Sequence, residues 1–358
     1  MGKVINVGVI GCGQIAQIMH LPYIQENENF NLYSLCDLSQ HVVDKLGEKY
    51  HLPKDRLFTN MDDMLADKNL EAVIICTKDH YEPGVKAAKA GKHMIIEKPL
   101  AYSLAQADEI IAEAKKSGVV LQVGYMKRYD PGFVYALEKV KTMKDIKFMR
   151  VHDFGGSFDF TTKIYDLYAG TDIPKEVIEE GNKAMNDAKI SEIGEDRAEY
   201  VNGYDLICGL SSHDTILMRH MFGYPKVKYA EVKGQFVSAI LDYGEFNCVF
   251  ESGGIWNRRD WDEELYVYSP DCKLSIHFPW PYLKNAVTMV KVNENEPGTM
   301  VNVEKEITAD FDESYRCEWK HFYECITEGK TPYTSGEDAR MDLQLASDII
   351  HAATVPGK

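Results

Sequence analysis

The sequence predicts an α/β fold in two parts: a doubly wound parallel sheet at the N-terminal side, then an α+β domain with a large, mainly antiparallel open sheet. Three observations carry that expectation. Short apolar runs alternate with helix-like stretches over the first third of the chain, and such alternation requires parallel pairing, because each crossover must pass over a face of the sheet. From about Ile146 strand-like segments succeed one another with few helices between them, as in an antiparallel or mixed sheet with one face left to solvent or to a partner subunit. The length of 358 residues is also more than one ordinary domain needs. We place the two domains at residues 1–125 and 126–358, with an acidic insert at 157–205 in the second.

Val4–Ile10, Leu32–Cys36, Ala72–Cys76, His93–Ile96 and Val119–Val123 have the length and apolarity of buried strands. Ile15–Gln25, His41–Tyr50, Pro83–Ala90 and Leu104–Lys116 read as the helices between them, and Asp130-Pro131 opens another that runs to about Met143. In the second part Phe148–Phe154, Lys228–Val237, Asn247–Phe250, Leu265–Tyr268, Leu274–His277, Val287–Val292 and Met300–Ile307 read as strands. One helix, about Asp205–Phe222, interrupts them and ends at Gly223 and Pro225. The insert holds a helix-like Lys175–Lys189 and reads as a lid or an oligomer contact. Ser314–Thr327 and Glu337–Ala352 close the chain as helices expected to pack back on the first domain.

Composition narrows the function. With 45% apolar and 27% charged residues the chain has ample material for a core. Its formal charge of -16 argues against nucleic acid and anionic membrane surfaces as partners. The eight cysteines are scattered without a CxxC pair, so neither a disulfide framework nor a structural zinc site is expected. Met1 to Asn6 run into the first strand without a basic region or cleavage site, and no apolar run is long enough to span a bilayer. The expected address is the cytoplasm.

Gly11-Cys12-Gly13-Gln14-Ile15-Ala16 follows a strand and opens a helix, and Asp37 ends the next strand. A lone GxGxxA is weak, but this context is the one a Rossmann dinucleotide site requires. Gly11 permits the tight turn, Gly13 lets backbone approach a pyrophosphate, and Ala16 allows close helix–strand packing. The helix start offers free N–H donors to phosphates. Asp37 would accept hydrogen bonds from the adenosine ribose and repel a 2′-phosphate, with no cation at Leu38-Ser39 to compensate. NAD is therefore favoured over NADP.

Glu97-Lys98-Pro99 stands at the carboxyl end of a strand of the same sheet, where open α/β folds bind ligands. A lysine beside a positive nicotinamide ring would have its ammonium disfavoured and could exchange protons near neutral pH. In an arbitrary sequence the same residues would read as an exposed lysine beside a glutamate. Here further motifs accompany them: Val9-Ile10-Gly11-Cys12-Gly13, Cys76-Thr77-Lys78-Asp79-His80, Ala90-Gly91-Lys92-His93, Val123-Gly124-Tyr125-Met126-Lys127-Arg128-Tyr129-Asp130-Pro131, Ser211-Ser212-His213-Asp214 and Ser335-Gly336-Glu337-Asp338. In this order they resemble the glucose-fructose oxidoreductase / inositol dehydrogenase / rhizopine catabolism (Gfo/Idh/MocA) family over nearly the whole chain.

The resemblance implies an NAD-dependent dehydrogenase acting on a ring secondary hydroxyl of a sugar, glycoside or cyclitol, with the C3 position of a pyranoside favoured. It makes Lys98 and His213 the catalytic residues, both also touching substrate. His213 would take the hydroxyl proton while the carbinol hydride passes to the nicotinamide, and Lys98 would hydrogen-bond the same oxygen. It assigns Gly11, Cys12, Gly13, Gln14, Ile15, Asp37, Thr77, Lys78, His80, Glu97, Lys98 and Met126 to the cofactor. Lys127 goes to the substrate, and we add Asp153 and Trp256 as candidate substrate contacts, Trp256 for the stacking of an aromatic face on a sugar ring. No spacing suggests a metal site. The outer face of the second sheet is expected to make dimers or tetramers. One position departs from the family: Gly209 stands four residues before His213, where many members carry an aspartate. Asp205 or Asp153 could substitute for it, or Lys98 and His213 act alone. Two other readings stay open: a redox-neutral enzyme that retains its NAD and oxidises a sugar transiently to assist glycosidic cleavage, and a non-catalytic NAD-binding sensor.

Overall fold

A computed structural model describes residues 2–354, with backbone alone at 160 and 161; the outermost ends of the two expected domains, Met1 and 355–358, lie outside the described residues. The chain forms two compact units, one of Met1–Tyr125, Tyr165–Glu192 and Glu318–Leu343, the other of Met126–Ile164, Ile193–Cys317 and Gln344–Lys358.

The first unit is organised by six strands, β1 (Ile5–Ile10), β2 (Phe30–Cys36), β3 (Leu57–Phe58), β4 (Ala72–Ile75), β5 (His93–Glu97) and β6 (Leu121–Gly124). They lie in the order β3-β2-β1-β4-β5-β6, every pairing parallel. Helices cover both faces of a parallel sheet, so its strands are mostly apolar, and all four residues of β4 are buried. The helices Gln40–Lys49 and Leu104–Ser117 start at Ser39 and Ser103, whose side chains accept backbone N–H groups of the first turn. The order reverses beside β1, and that switch point opens a crevice outside the carboxyl ends of β1 and β4. Two elements, β3 and the helix Met61–Leu65, have no counterpart in the sequence reading, being too short to show a period.

Two later segments belong to this unit and not to the second one. The chain of the insert from Tyr165 to Glu192 is one of them, most of it in the helix Lys175–Ile193. The other carries Trp319, which packs edge-on against Phe30 at 5.0 Å and donates to His20 Nδ1 at 3.2 Å. Burial decides the second return, since a fully buried indole must find its apolar partners wherever the chain offers them.

The second unit is built on β7 (Phe148–Gly155), β8 (Lys226–Lys233), β9 (Phe236–Asp242), β10 (Asn247–Gly254), β11 (Asp262–Tyr268), β12 (Cys272–His277), β13 (Met289–Asn295) and β14 (Asn302–Thr308). Their order is β14-β13-β12-β11-β7-β10-β9-β8, antiparallel except for the parallel pair β7 and β10. Burial alternates along β7, β9 and β11, which gives the sheet one covered face. The expected single strand Lys228–Val237 is in fact a hairpin: Gly234, at φ +61, reverses the chain between β8 and β9. The expected helix Asp205–Phe222 begins at Val201, passes through a widened turn at Ile207–Ser211 and continues as Ser212–Phe222. Among the described residues no helix is long and apolar enough to cross a membrane.

Candidate functional site

In the first unit the turn after β1 is fixed from both sides. Gly11 has φ +84, and a Cβ there would come within 2.6 Å of the Thr77 nitrogen, so the turn can carry only glycine. Its N–H donates to the Cys36 carbonyl at 2.8 Å. Gly13 is the opposite case: exposed, with no atom within 4 Å of the place a Cβ would take. The free space and the unpaired first-turn N–H groups of the following helix suit a pyrophosphate. Gln14 is exposed and Ile15 half-buried. The Cys12 thiol is buried, and burial, then the charge of Asp37, raise it far above the usual thiol range. Cys12 thus contributes backbone, not chemistry.

Asp37 is held ready by that backbone. Its carboxylate accepts the Cys12 N–H at 2.7 Å and the Ser39 N–H at 2.9 Å, one on each oxygen. Each oxygen keeps lone pairs for a ribose hydroxyl. The Thr77 hydroxyl donates to the Asp79 carbonyl at 2.6 Å, and Lys78 is exposed.

At the end of β5, Glu97 is a buried acid with its own partners. His20 Nδ1 accepts the Trp319 N–H, so His20 Nε2 carries the proton donated to Glu97 at 2.8 Å. Burial pushes the Glu97 carboxyl up, but the His20 hydrogen bond and the neighbouring His20 and Lys98 outweigh it, and Glu97 ends below the usual carboxylate range. Its second oxygen accepts the Lys98 N–H at 3.1 Å. His80 Nδ1 meets the Pro99 carbonyl at 2.6 Å, and burial holds His80 below the ordinary imidazole range, hence neutral at pH 7. The Lys98–Pro99 peptide is cis. Lys98 itself is half-buried.

The second unit holds a buried charge cluster. Asp153 on β7, Asp214 on the helix Ser212–Phe222 and Glu263 on β11 are 1%, 0% and 3% exposed, and one oxygen of each lies within 4.8 Å of the others. Lys127 bonds Glu263 and lies 4.5 Å over the Phe278 ring. Trp261 donates to the second Glu263 oxygen at 2.9 Å. The three acids stand together; the Lys127 ammonium bonds one of them, Glu263, and feels the charge of the other two. Asp153 and Asp214 lean on each other, and Ser211 lies beside Asp153. Two buried carboxyls in that position keep a proton between them. Burial, then the Glu263 charge, push Asp153 up to about 7, and the same two causes with Asp153 itself raise Asp214 well above the ordinary aspartate range. Burial works against the Lys127 ammonium, but the three acids outweigh it and raise Lys127.

The sequence-derived residues thus fall into two sets. Gly11 to Ile15, Asp37, Thr77, Lys78, His80, Glu97 and Lys98 belong to the first unit; Met126, Lys127, Asp153, His213 and Trp256 belong to the second. Asp153 joins the buried cluster and Asp205 does not. Gly209 lies in the widened turn one helical turn before the half-buried His213, exposed and with nothing within 4 Å of a would-be Cβ. Trp256 is 41% exposed, donates to Gln235 at 2.7 Å and stacks on Phe158. Asp214 and Glu263 were missed, though a signal existed: Glu263 is in phase with the apolar Leu265 and Val267 on the buried face of β11.

Residues 5–125 match the family described as oxidoreductase family, NAD-binding Rossmann fold (GFO_IDH_MocA). Myo-inositol 2-dehydrogenase of Thermotoga maritima is 33% identical over 138 residues, which cover 38% of this chain and 40% of that protein, so the match spans about two fifths of that relative. scyllo-Inositol 2-dehydrogenase (NAD(+)) of Bacillus subtilis is 26% identical over 79% of this chain and 75% of its own. The fold is similar to that of an aldose-aldose oxidoreductase from Caulobacter crescentus, with a TM-score of 0.76, 18% identity and 98% of each chain covered.

Proposed function

We propose that this chain, whose residues 5–125 match the Gfo/Idh/MocA oxidoreductase family, transfers a hydride between NAD and a ring secondary hydroxyl of a sugar, glycoside or cyclitol, with the C3 position of a pyranoside first. The observation that carries this reading is the turn after β1: open space at Gly13 beside the oriented Asp37 carboxylate. Gly11 to Ile15 hold the pyrophosphate end, and Asp37 takes the ribose hydroxyls. When bound, the nicotinamide supplies the hydride acceptor. His213 takes the hydroxyl proton, and the Lys98 ammonium donates a hydrogen bond to the oxygen as its negative charge develops. Lys127, Asp153 and Trp256 act on the substrate side. The polyol class is supported by the two inositol dehydrogenases.

The enzyme works in the cytoplasm, a reading supported by eight cysteines that are all free thiols. It assembles through its second sheet, whose outer face exposes Phe148, Tyr229, Phe236 and Ile240. The test is NADH formation by the purified protein with NAD and a panel of glycosides, free sugars and inositols. Turnover should fall about 10²- to 10⁴-fold in Lys98→Met and in His213→Ala, with NADH affinity little changed in the second. Silence across the panel rejects the conventional dehydrogenase.

A second reading has its own support: an enzyme that retains NAD and returns the hydride within each cycle. The insert lies on the dinucleotide turn, its Tyr168 backbone held at both its N–H and its carbonyl by the Gln17 amide, at 2.9 and 2.8 Å. Nucleotide surviving gel filtration, with a transformed glycoside and no net NADH, would favour it.

A further inference from the structure

The start of the helix Gln40–Lys49 is suited to an anion, and an anion of the chain's own already sits there. Ser39 caps the helix, its hydroxyl oxygen accepting the Val42 N–H at 3.1 Å. The His41 N–H donates to Asp172 Oδ2 at 3.0 Å, and the Ser39 hydroxyl bonds Oδ1 of the same carboxylate. Free N–H groups and the helix dipole favour negative charge at this place. The Ser39 hydrogen bond, then the His41 one, hold the Asp172 carboxyl below the ordinary aspartate range.

Asp172 is 133 residues from Ser39 in the chain. Two contacts of the inserted segment bring it there. Gln17 clasps the Tyr168 backbone, and Gly170 packs so close that a Cβ on it would lie 3.0 Å from that of Ser39. Farther along, Leu104 N–H donates to Glu192 at 2.8 Å, and the Lys189 ammonium lies 4.4 Å over the Tyr102 ring. Ser39 thus has a carboxylate on each side, Asp37 at its N–H and Asp172 at its hydroxyl. In Rossmann turns that take NADP, a cation close to this stretch meets the 2′-phosphate; Leu38, Ser39 and Gln40 supply none.

We propose that Asp172 is a cofactor-selecting residue: its carboxylate fills the anion site at the start of the helix Gln40–Lys49 and excludes the 2′-phosphate of NADP. The inference rests on the dinucleotide reading of the turn after β1 and extends it. Selection comes from two carboxylates, one on the Rossmann scaffold and one on the inserted segment. The ribose of NAD carries no charge at that position and meets no repulsion. Asp172 touches no reacting atom, so it governs which nucleotide binds and not what is done with it.

The test is equilibrium binding to the full-length protein, read by nicotinamide fluorescence for NADH and NADPH and by calorimetry for adenosine 2′,5′-bisphosphate, a probe without nicotinamide. The wild type should bind NADH at least about tenfold tighter than NADPH. Asp172→Asn keeps the size and the acceptor but removes the charge, and Asp172→Ala empties the site. Affinity for NADPH and for the bisphosphate should rise about tenfold in the first and further in the second, with NADH affinity within about threefold of wild type. Equal wild-type affinities for NADH and NADPH overturn the inference without any variant. Selective wild-type binding with an unchanged NADPH to NADH ratio in both variants overturns it alone and leaves the dinucleotide reading standing. A wild type that binds neither nucleotide overturns both.

Discussion

In the turn after β1 the working groups are backbone N–H donors and one carboxylate, placed by a strand, a glycine at positive φ and the start of a helix. The cluster of the second unit is made of side chains alone. It draws Lys127 from a short helical turn, Asp153 from β7, Asp214 from a helix and Glu263 from β11, with Lys127 and Glu263 136 residues apart in the chain. The difference sets how each responds to change. Backbone donors stay in place when neighbouring side chains are replaced, so the turn can lose its ligand without losing its fold. A buried charge cluster depends on every member, because each removal leaves another charge uncompensated.

The largest expected effect is on stability. Lys127→Met leaves the buried Glu263 without its ammonium partner, and urea unfolding should report a loss of about 3–5 kcal/mol. A loss below about 1 kcal/mol would mean that the acids manage their charge without Lys127, and the contrast with the turn would collapse. Gly13→Val should do the reverse. Stability should hold within about 0.5 kcal/mol, because no atom stands within 4 Å of the new Cβ. NADH affinity should drop at least about 100-fold, or roughly 2.7 kcal/mol. Gly11→Ala, by contrast, should cost stability, since φ is +84 and a backbone nitrogen lies 2.6 Å from the Cβ.

The smallest effect is the most specific to the cluster. Asp153 and Asp214 are raised acids, so between the ordinary aspartate range and about 7 the folded chain keeps protons that the unfolded chain has lost. Their contribution to stability is therefore full in acid and is lost as pH rises through that window, by up to about 1.4 kcal/mol per pH unit for each retained proton. Asp214, raised as well, adds to the fall. Asp214→Asn should flatten this slope in thermal melts taken from acid to neutral pH. An unchanged slope would show that the pair holds no extra proton.

The two regions were also unequally legible. The turn could be read from Gly11, Gly13, Ala16 and Asp37 because its geometry is local, and the strands β1, β2, β4, β5 and β6 were visible as apolar runs for the same reason. Asp214 lies next to His213 in a motif that was read, yet nothing in its neighbours says that it is buried against two other acids. Asp153 was named only as a substrate contact, and Glu263 could have been flagged as a charge in phase with apolar positions, but phase names a face and not a partner. The hairpin at Gly234 was read as one strand because both arms are β-prone and a two-residue reversal leaves little trace. Asp172 carried no signal at all, being one acid in an acidic insert.

By itself the sequence determined the alternation of strands and helices, the glycine turn and the acid at the end of β2, all set by φ requirements, burial period and neighbours along the chain. Only the tertiary structure decided that Tyr165–Glu192 returns to the first unit, that Asp172 fills a helix start and that three acids surround one lysine. Those are contacts between residues far apart in the chain, fixed by where polar and charged groups find partners, and no local pattern records them.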